Sequence, residues 1–310
     1  MDSRGHGERK TPDRQQGGSG DGSTTPSAAG SPGCQTTTIA ELLREGASLT
    51  GDSARLDAQI LLAHTLGCSR THLFTWPEQE VPADLGARYR QLLHRRTQGE
   101  PVAHLVETQE FWSLSLQVSP ATLIPRADTE LLVELALALE LPAAARVLDL
   151  GTGTGAIALA LASERPGWSI LAVDSQPDAM ALARQNAQRL RFDQVEVRLS
   201  NWFQEVAGTF DLVVSNPPYI APDDPHLQLG DVRFEPASAL VASHGGYGDL
   251  AHIIDRGRHH LAPGGVLMVE HGAEQGERVR TLFAASGYLD IATHRDLGGH
   301  QRVTLGKVAS

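Results

Sequence analysis

Between residues 147 and 269, short apolar runs alternate with helix-length segments, and that alternation leaves few folds open. The runs Val147-Leu148, Ile170-Leu171-Ala172-Val173, Val195-Glu196-Val197, Leu212-Val213-Val214 and Val266-Leu267-Met268-Val269 read as strands. Segments near 156–164, 177–190, 248–261 and 275–286 read as helices. Such spacing predicts an α/β domain with a doubly wound, mostly parallel sheet. The end of the chain departs from the pattern. Residues 291–294 and 302–305 are strand-like and are joined through Gly298-Gly299, which predicts an antiparallel pair at the sheet edge.

Upstream the pattern is helical. Thr37 or Thr38 is placed to cap a helix carrying Ile39, Leu42 and Leu43. A second helix starts near Asp52-Ser53, carries Leu56, Ile60, Leu61 and Leu66, and stops at Gly67. A third runs from about Ala83 to Thr97 with Leu85, Tyr89, Leu92 and Leu93 inward. Its outer face holds Arg88, Arg90, Arg95 and Arg96, either a solvated face or a docking surface for an acidic or phosphate-bearing partner. Trp112, Leu114, Leu116 and Val118 alternate as a half-buried strand does, so a β-hairpin is expected there. A helix opened by Asp128 or Thr129 follows, with Leu131, Leu132, Leu135 and Leu139 on one face. The expected organisation is a disordered tail over 1–36, a helical domain over 37–103, a hairpin linker over 104–125 and the α/β domain over 126–310. The tail is Gly-, Ser-, Thr-, Pro- and Gln-rich and has almost nothing to bury.

Composition removes several function classes. Acids outnumber bases by 37 to 26, a net charge of −11, so no global attraction to nucleic acid or an anionic membrane is expected. The two cysteines, Cys34 and Cys68, show no metal-ligand spacing, and a reducing, cytoplasmic setting without metal is expected. No apolar run reaches the roughly 18 residues of a membrane span.

Two loops carry the chemistry. Asp149-Leu150-Gly151-Thr152-Gly153-Thr154-Gly155 follows the first strand and opens a helix. Its glycines let backbone approach a ligand closely at the helix N-terminus. Asp174, at the end of the next strand, is placed to accept both hydroxyls of a ribose, so the ligand is NAD or S-adenosylmethionine. The second loop, Ser215-Asn216-Pro217-Pro218-Tyr219, leaves the fourth strand. Its prolines remove two backbone donors and stiffen the chain, and carbonyls are left facing outward. Asn216 and the Pro217 carbonyl suit the two N–H bonds of a planar amino group, with Tyr219 as an aromatic wall. Such a clamp serves an amino methyltransferase and has no use in a nicotinamide enzyme.

Taken together, these motifs resemble the class I S-adenosylmethionine-dependent methyltransferases. More narrowly, the chain is similar to the PrmC/HemK release factor glutamine methyltransferases over nearly everything after residue 37. The likeness includes Gly99-Glu100-Pro101-Val102-Ala103-His104, Glu110-Phe111-Trp112, Pro120 through Glu130, Phe234-Glu235-Pro236, Glu270-His271-Gly272 and Arg302-Val303-Thr304. It implies methylation of the glutamine amide nitrogen in the Gly-Gly-Gln motif of class I peptide release factors, with S-adenosylhomocysteine as product. The family's cofactor site falls on Gly151, Thr152, Gly153, Thr154, Gly155, Asp174, Trp202 beside the adenine, and Asn216. Its substrate clamp falls on Asn216, Pro217, Pro218 and Tyr219, with Asn216, Pro217 and Tyr219 as the catalytic set. The helical domain is the family's contact for the release factor, and a monomer is expected.

Three positions depart from the family pattern: Glu107 for Gly, Ala127 for Pro, and Asn201 for Asp. A reshaped turn, a looser helix entry and a weaker bond to the adenine amino group are the expected consequences. His271 reads as structural. The competing readings are a glutamine methyltransferase acting on a ribosomal protein, a nucleic-acid adenine methyltransferase, and an NAD-dependent oxidoreductase.

Overall fold

The structure, a computed structural model, describes residues 37–310; the expected disordered tail, 1–36, lies outside them. Thr38 sets the start of the first helix. Its hydroxyl accepts from the Glu41 N–H at 3.3 Å, and Glu41 Oε2 accepts from the Thr38 N–H at 2.9 Å. This reciprocal capping box begins α1 (Ile39–Glu45). The preceding β1 (Thr37–Thr38) pairs antiparallel with β2 (Glu80–Val81). Helix α2 (Ala54–Leu66) ends at Gly67, whose φ of 63° is the left-handed cap that glycine tolerates. Three further helices are α3 (Arg70–Thr75), α4 (Ala83–Thr97) and α5 (Val102–Val106). Their core is made by Ile39, Leu42, Leu61, Leu62, Leu73 and Tyr89, all fully buried.

Most of the guanidiniums on the outer face of α4 are spoken for within the chain. Arg90 pairs with Glu45 through two bonds of 2.7 Å, and Arg95 Nε donates to Glu100 at 2.7 Å. Arg96 is largely buried. It donates to Asp57 at 2.8 Å, to the Glu100 carbonyl at 3.0 Å and to Asp231 at 3.1 Å. Arg96 is therefore a tie between α4, α2 and the loop after the fourth sheet strand, which revises its reading as part of a docking face. Arg233 adds a second tie, donating to the Gln98 carbonyl at 2.9 Å.

Glu107 caps α5 in the left-handed region, with φ of 59°. That conformation favours glycine and explains why a glycine suits this position. Strands β3 (Thr108–Phe111) and β4 (Leu114–Gln117) form the hairpin. Trp112 sits in its two-residue turn rather than in a strand, because Trp112 and Ser113 both take positive φ, 52° and 58°. The turn is held by its tryptophan: the Trp112 N–H donates to Glu130 and its indole N–H to Glu164, both at 2.9 Å.

A short 3-10 turn over Ala127–Thr129 leads into α6 (Glu130–Leu137). The sheet strands are β5 (Arg146–Leu150), β6 (Ser169–Asp174), β7 (Val195–Leu199), β8 (Phe210–Ser215), β9 (Leu261–Glu270), β10 (Leu289–Arg295) and β11 (Gln301–Lys307). They lie in the order β10-β11-β9-β8-β5-β6-β7. Strands β5 to β9 pair in parallel, and β11 and β10 add antiparallel at one edge. This is the doubly wound, mostly parallel sheet with an antiparallel C-terminal pair. Helices α7 (Ala156–Glu164) and α8 (Pro177–Leu190) follow the first two sheet strands. Two short turns, α9 (Ala237–Leu240) and α10 (Ser243–Gly246), precede α11 (Gly248–Gly257) and α12 (Gly276–Ala285). Side chains of the sheet alternate between two cores. Val147, Ile170, Ala172, Leu212 and Val214 face one; Leu148, Leu171, Val173, Val213 and Val269 face the other.

Candidate functional site

Strands β5 and β8 are neighbours in register, with Leu150 opposite Ser215. The Ser215 hydroxyl donates to the Leu150 carbonyl at 2.8 Å and locks the two strand ends together. The glycine loop leaves the first strand and the Asn-Pro-Pro-Tyr loop leaves the second, so both open onto the carboxyl edge of the sheet, where α/β folds bind ligands. Between them lies a cleft lined by residues of both loops, among them Gly151, Gly153, Asn216 and Pro218.

The glycine loop is built to turn. Gly151, Gly153 and Gly155 all have positive φ, and the N–H groups of Gly151 and Thr152 both donate to the Val173 carbonyl at 2.9 Å. Gly151 has a further reason to be glycine. A Cβ there would stand 3.3 Å from the Trp202 ring, which lies against the loop. Asp149 sits beneath the turn, fully buried, and accepts the Thr152 hydroxyl at 2.6 Å. Burial pushes its pKa up to about 7, and its Oδ1 has no partner among the described residues. The Thr154 carbonyl accepts from Asn186, which also ties down Gln117 of the hairpin.

Asp174 ends β6 at the cleft wall. Its Oδ2 accepts the Gly153 N–H and its Oδ1 the Gln176 N–H, both at 2.9 Å. Burial raises its pKa, and these backbone bonds oppose the rise. Each oxygen keeps a lone pair for the cleft, which is what a ribose diol requires. Trp202 lines the cleft with a left-handed backbone, φ 51°. Its indole faces Asp249, whose pKa burial raises and the indole N–H lowers. Asn201 is exposed and lines, with Asp249 and His252, a neighbouring hollow that shares Trp202 with the cleft.

The second loop presents Asn216 and Pro218 to the cleft, whereas Pro217 is buried and Tyr219 stands behind the wall. Asn216 Nδ2 donates to the Thr129 hydroxyl at 3.1 Å. Neither Asn216 Oδ1 nor the Pro217 carbonyl accepts a bond from any described residue. Tyr219 is fastened at both ends. Its hydroxyl donates to Glu270 Oε1 at 3.3 Å, and its carbonyl accepts from Gln275 Nε2 at 3.1 Å. Burial and the adjacent Glu270 carboxylate push its phenol pKa well up, so it stays neutral. His271 is fully buried, bonded to Thr304 at 2.9 Å and to the Gly272 carbonyl, and lies outside the cleft lining. Its role is structural.

Thr122, Leu123, Thr129, Ser200 and Ser238 also line the cleft, and sequence reasoning missed them as lining residues. Their only signal was position, in or beside segments shared with the family. Glu235 braces the segment that follows the first two, accepting the Ile124 N–H at 2.9 Å and Arg126 Nη2 at 2.6 Å. Among the described residues no helix is long and apolar enough to cross a membrane, and no cluster of His, Cys, Asp or Glu is arranged to hold a metal.

Comparison with known proteins gives two family matches: the PrmC N-terminal domain over residues 40–106 and the methyltransferase small domain over residues 127–248. A release factor glutamine methyltransferase of Pseudomonas aeruginosa is 53% identical over 88% of this chain and 99% of its own. Proteins of the same description from Salmonella typhimurium and Escherichia coli are 55% and 53% identical. They align over 83% and 86% of this chain, and over 93% and 97% of their own lengths.

Proposed function

The chain belongs to the release factor glutamine methyltransferase family, and from that premise we propose that it methylates the side-chain amide nitrogen of the Gly-Gly-Gln glutamine in class I peptide release factors. The methyl donor in this reading is S-adenosylmethionine. The observation that carries it is the pairing, across one cleft, of a ribose acceptor at Asp174 with an amide acceptor at Asn216.

The residues suit that cofactor. Asp174 offers two free lone pairs to a ribose, Trp202 offers a ring face beside it, and the Gly151–Gly155 turn keeps side chains out of the way. When bound, S-adenosylmethionine supplies a methyl group on a sulfonium leaving group, so no metal or strong base is required for the transfer. What the chain must add is aim. An amide nitrogen is a poor nucleophile because its lone pair is delocalised into the carbonyl. Asn216 Oδ1 and the Pro217 carbonyl accept its two N–H bonds, which orients the lone pair and stabilises positive charge growing on nitrogen. Tyr219, held neutral, is fastened to Glu270 and Gln275 and fixes the end of the clamp loop. Helices α1 to α5 are the proposed contact for the body of the release factor.

Incubating the protein with S-adenosylmethionine and purified release factor, followed by peptide mass spectrometry, tests this. A 14-dalton gain confined to the Gly-Gly-Gln peptide, by the mass of one CH₂, is expected. Methylation of a ribosomal protein or of DNA instead, with release factor untouched, would assign the clamp to another substrate.

A further inference from the structure

The turn between β10 and β11, residues 296–300, stands beyond the same edge of the sheet as the clamp. Strand β9 runs parallel to β8, so its last residue, Glu270, lies at the carboxyl edge. Strand β11 runs the other way and pairs Val303 with Glu270, which brings its first residue, Gln301, to that edge. Arg295 pairs with Gln301, and the residues between them form the tip. This tip is firmly built. The Asp296 N–H donates to the His300 carbonyl and the Gly299 N–H to the Asp296 carbonyl, both at 2.9 Å. Asp296 Oδ1 accepts the His300 N–H at 2.9 Å, and its Oδ2 accepts Arg302 Nε and Nη2 at 3.2 Å each. The Arg302 and Asp296 side chains are 14% and 6% exposed, so their ion pair lies under the turn. Arg302 also reaches Asp128 at 3.2 Å, the neighbour of Thr129, whose hydroxyl accepts from Asn216. The turn is thereby fastened to the wall of the cleft that holds the clamp. Leu297, next to Asp296, is fully exposed. A lone exposed leucine is ordinary on a protein surface. This one is held out by a turn whose shape is already fixed, beside a site that must grip a protein.

We propose that Leu297 is an apolar anchor for the release factor chain flanking the Gly-Gly-Gln glutamine, presented by the β10–β11 tip beside the clamp. The occupant follows from what the clamp lacks. Its acceptors take hold of one amide group, and the glycines before that glutamine have no side chains to grip. Contacts that steady the substrate backbone must therefore come from residues further along its chain, within reach of the clamp's rim. An apolar substrate side chain laid against Leu297 takes both groups out of water. The turn loses little freedom on binding because it is already ordered. A contact of this kind is made equally in the ground and transition states, so its loss shows in KM and not in the rate at saturation. The inference rests on the reading of the protein as a release factor methyltransferase.

The test is steady-state methylation of intact release factor with S-adenosylmethionine saturating. Leu297→Ala is expected to raise KM about fivefold to thirtyfold, the worth of most of one leucine side chain taken out of water, with kcat within about twofold. Leu297→Met keeps an apolar chain of similar volume and is expected to stay within about threefold of the wild-type KM. Leu289→Ala is the control. Leu289 is 53% exposed but sits at the far end of β10, paired with Lys307, so its loss is expected to leave KM unchanged. An unchanged KM in Leu297→Ala, an equal rise in Leu289→Ala, or a fall in kcat with KM unmoved would overturn the anchor and leave the release factor reading standing. A wild-type chain that leaves release factor unmethylated while methylating a ribosomal protein or DNA would overturn that reading, and the anchor with it.

Discussion

Arg95 and Arg96 are adjacent on α4, carry the same charge and look alike in sequence, yet they are expected to respond very differently to replacement by methionine. Arg96→Met keeps the apolar stem and removes the guanidinium. The Arg96 side chain is 18% exposed and its main partner, Asp57, is 10% exposed. Removing one member of a buried pair costs about 3–5 kcal/mol because the other charge stays buried. Asp57 keeps a hydroxyl bond from Ser53 at 3.2 Å, which softens the loss. The Asp231 contact is more exposed, at 39%, and adds under about 1 kcal/mol. The Glu100 carbonyl loses its donor as well. The sum is a destabilisation of about 2–4 kcal/mol. Arg95→Met breaks a pair whose side chains are 49% and 24% exposed, and is expected to cost about 0–1 kcal/mol. Urea unfolding followed by circular dichroism measures both, with a longer comparison of release factor KM to separate docking from folding. Equal losses below about 1 kcal/mol for the two variants would refute the structural role of Arg96.

Three further outcomes follow from the cleft. Asp174→Ala should weaken S-adenosylmethionine binding by about 1.5–3 kcal/mol, the worth of charge-assisted bonds to two hydroxyls; an unchanged calorimetric dissociation constant would place the ribose elsewhere. Gly246→Ala puts a Cβ 2.3 Å from the Tyr219 carbonyl at a φ of 87°, so backbone must move; kcat should fall at least about tenfold while cofactor affinity holds within about threefold, and a wild-type kcat would show that the clamp tolerates displacement. Asp149 ionises near pH 7 in the fold against an ordinary 3.8, so its contribution to stability is complete below about pH 4 and lost as pH rises through 7. Relative to Asp149→Asn, the wild type should therefore lose about 4 kcal/mol between pH 4 and pH 8, and a difference that did not vary with pH would contradict the burial argument.

The sheet was legible because buried parallel strands are short, apolar and rich in Val, Ile and Leu, and the runs at 170–173, 212–214 and 266–269 are of that kind. Helix ends were legible where a single residue decides them, as at Thr38 and Gly67. The meeting of the two loops followed from strand order at the carboxyl edge. Other features depended on contacts that no local pattern encodes. Trp112 reads as a strand residue, but bonds to Glu130 and Glu164 hold it in a turn. Arg96 is set apart from Arg95 chiefly by Asp57 and Asp231, which lie 39 and 135 residues away. Thr129 reads as a helix opener and Glu270 as part of a shared segment, and only the fold shows Thr129 bonded to Asn216 and Glu270 to Tyr219.

The central claim is that the side chain of Asn216 holds the reacting amide. Its most direct test is single-turnover methylation of release factor by Asn216→Ala, with cofactor affinity measured on the same preparation. Loss of an acceptor whose bond strengthens as nitrogen gains positive charge should cost about 3–4 kcal/mol, on the order of 10²–10³ in rate, by analogy with the loss of one oxyanion-hole donor. S-adenosylmethionine affinity should remain near the wild-type value. A variant that keeps the wild-type rate, or one whose rate falls only in step with lost cofactor binding, would contradict the account.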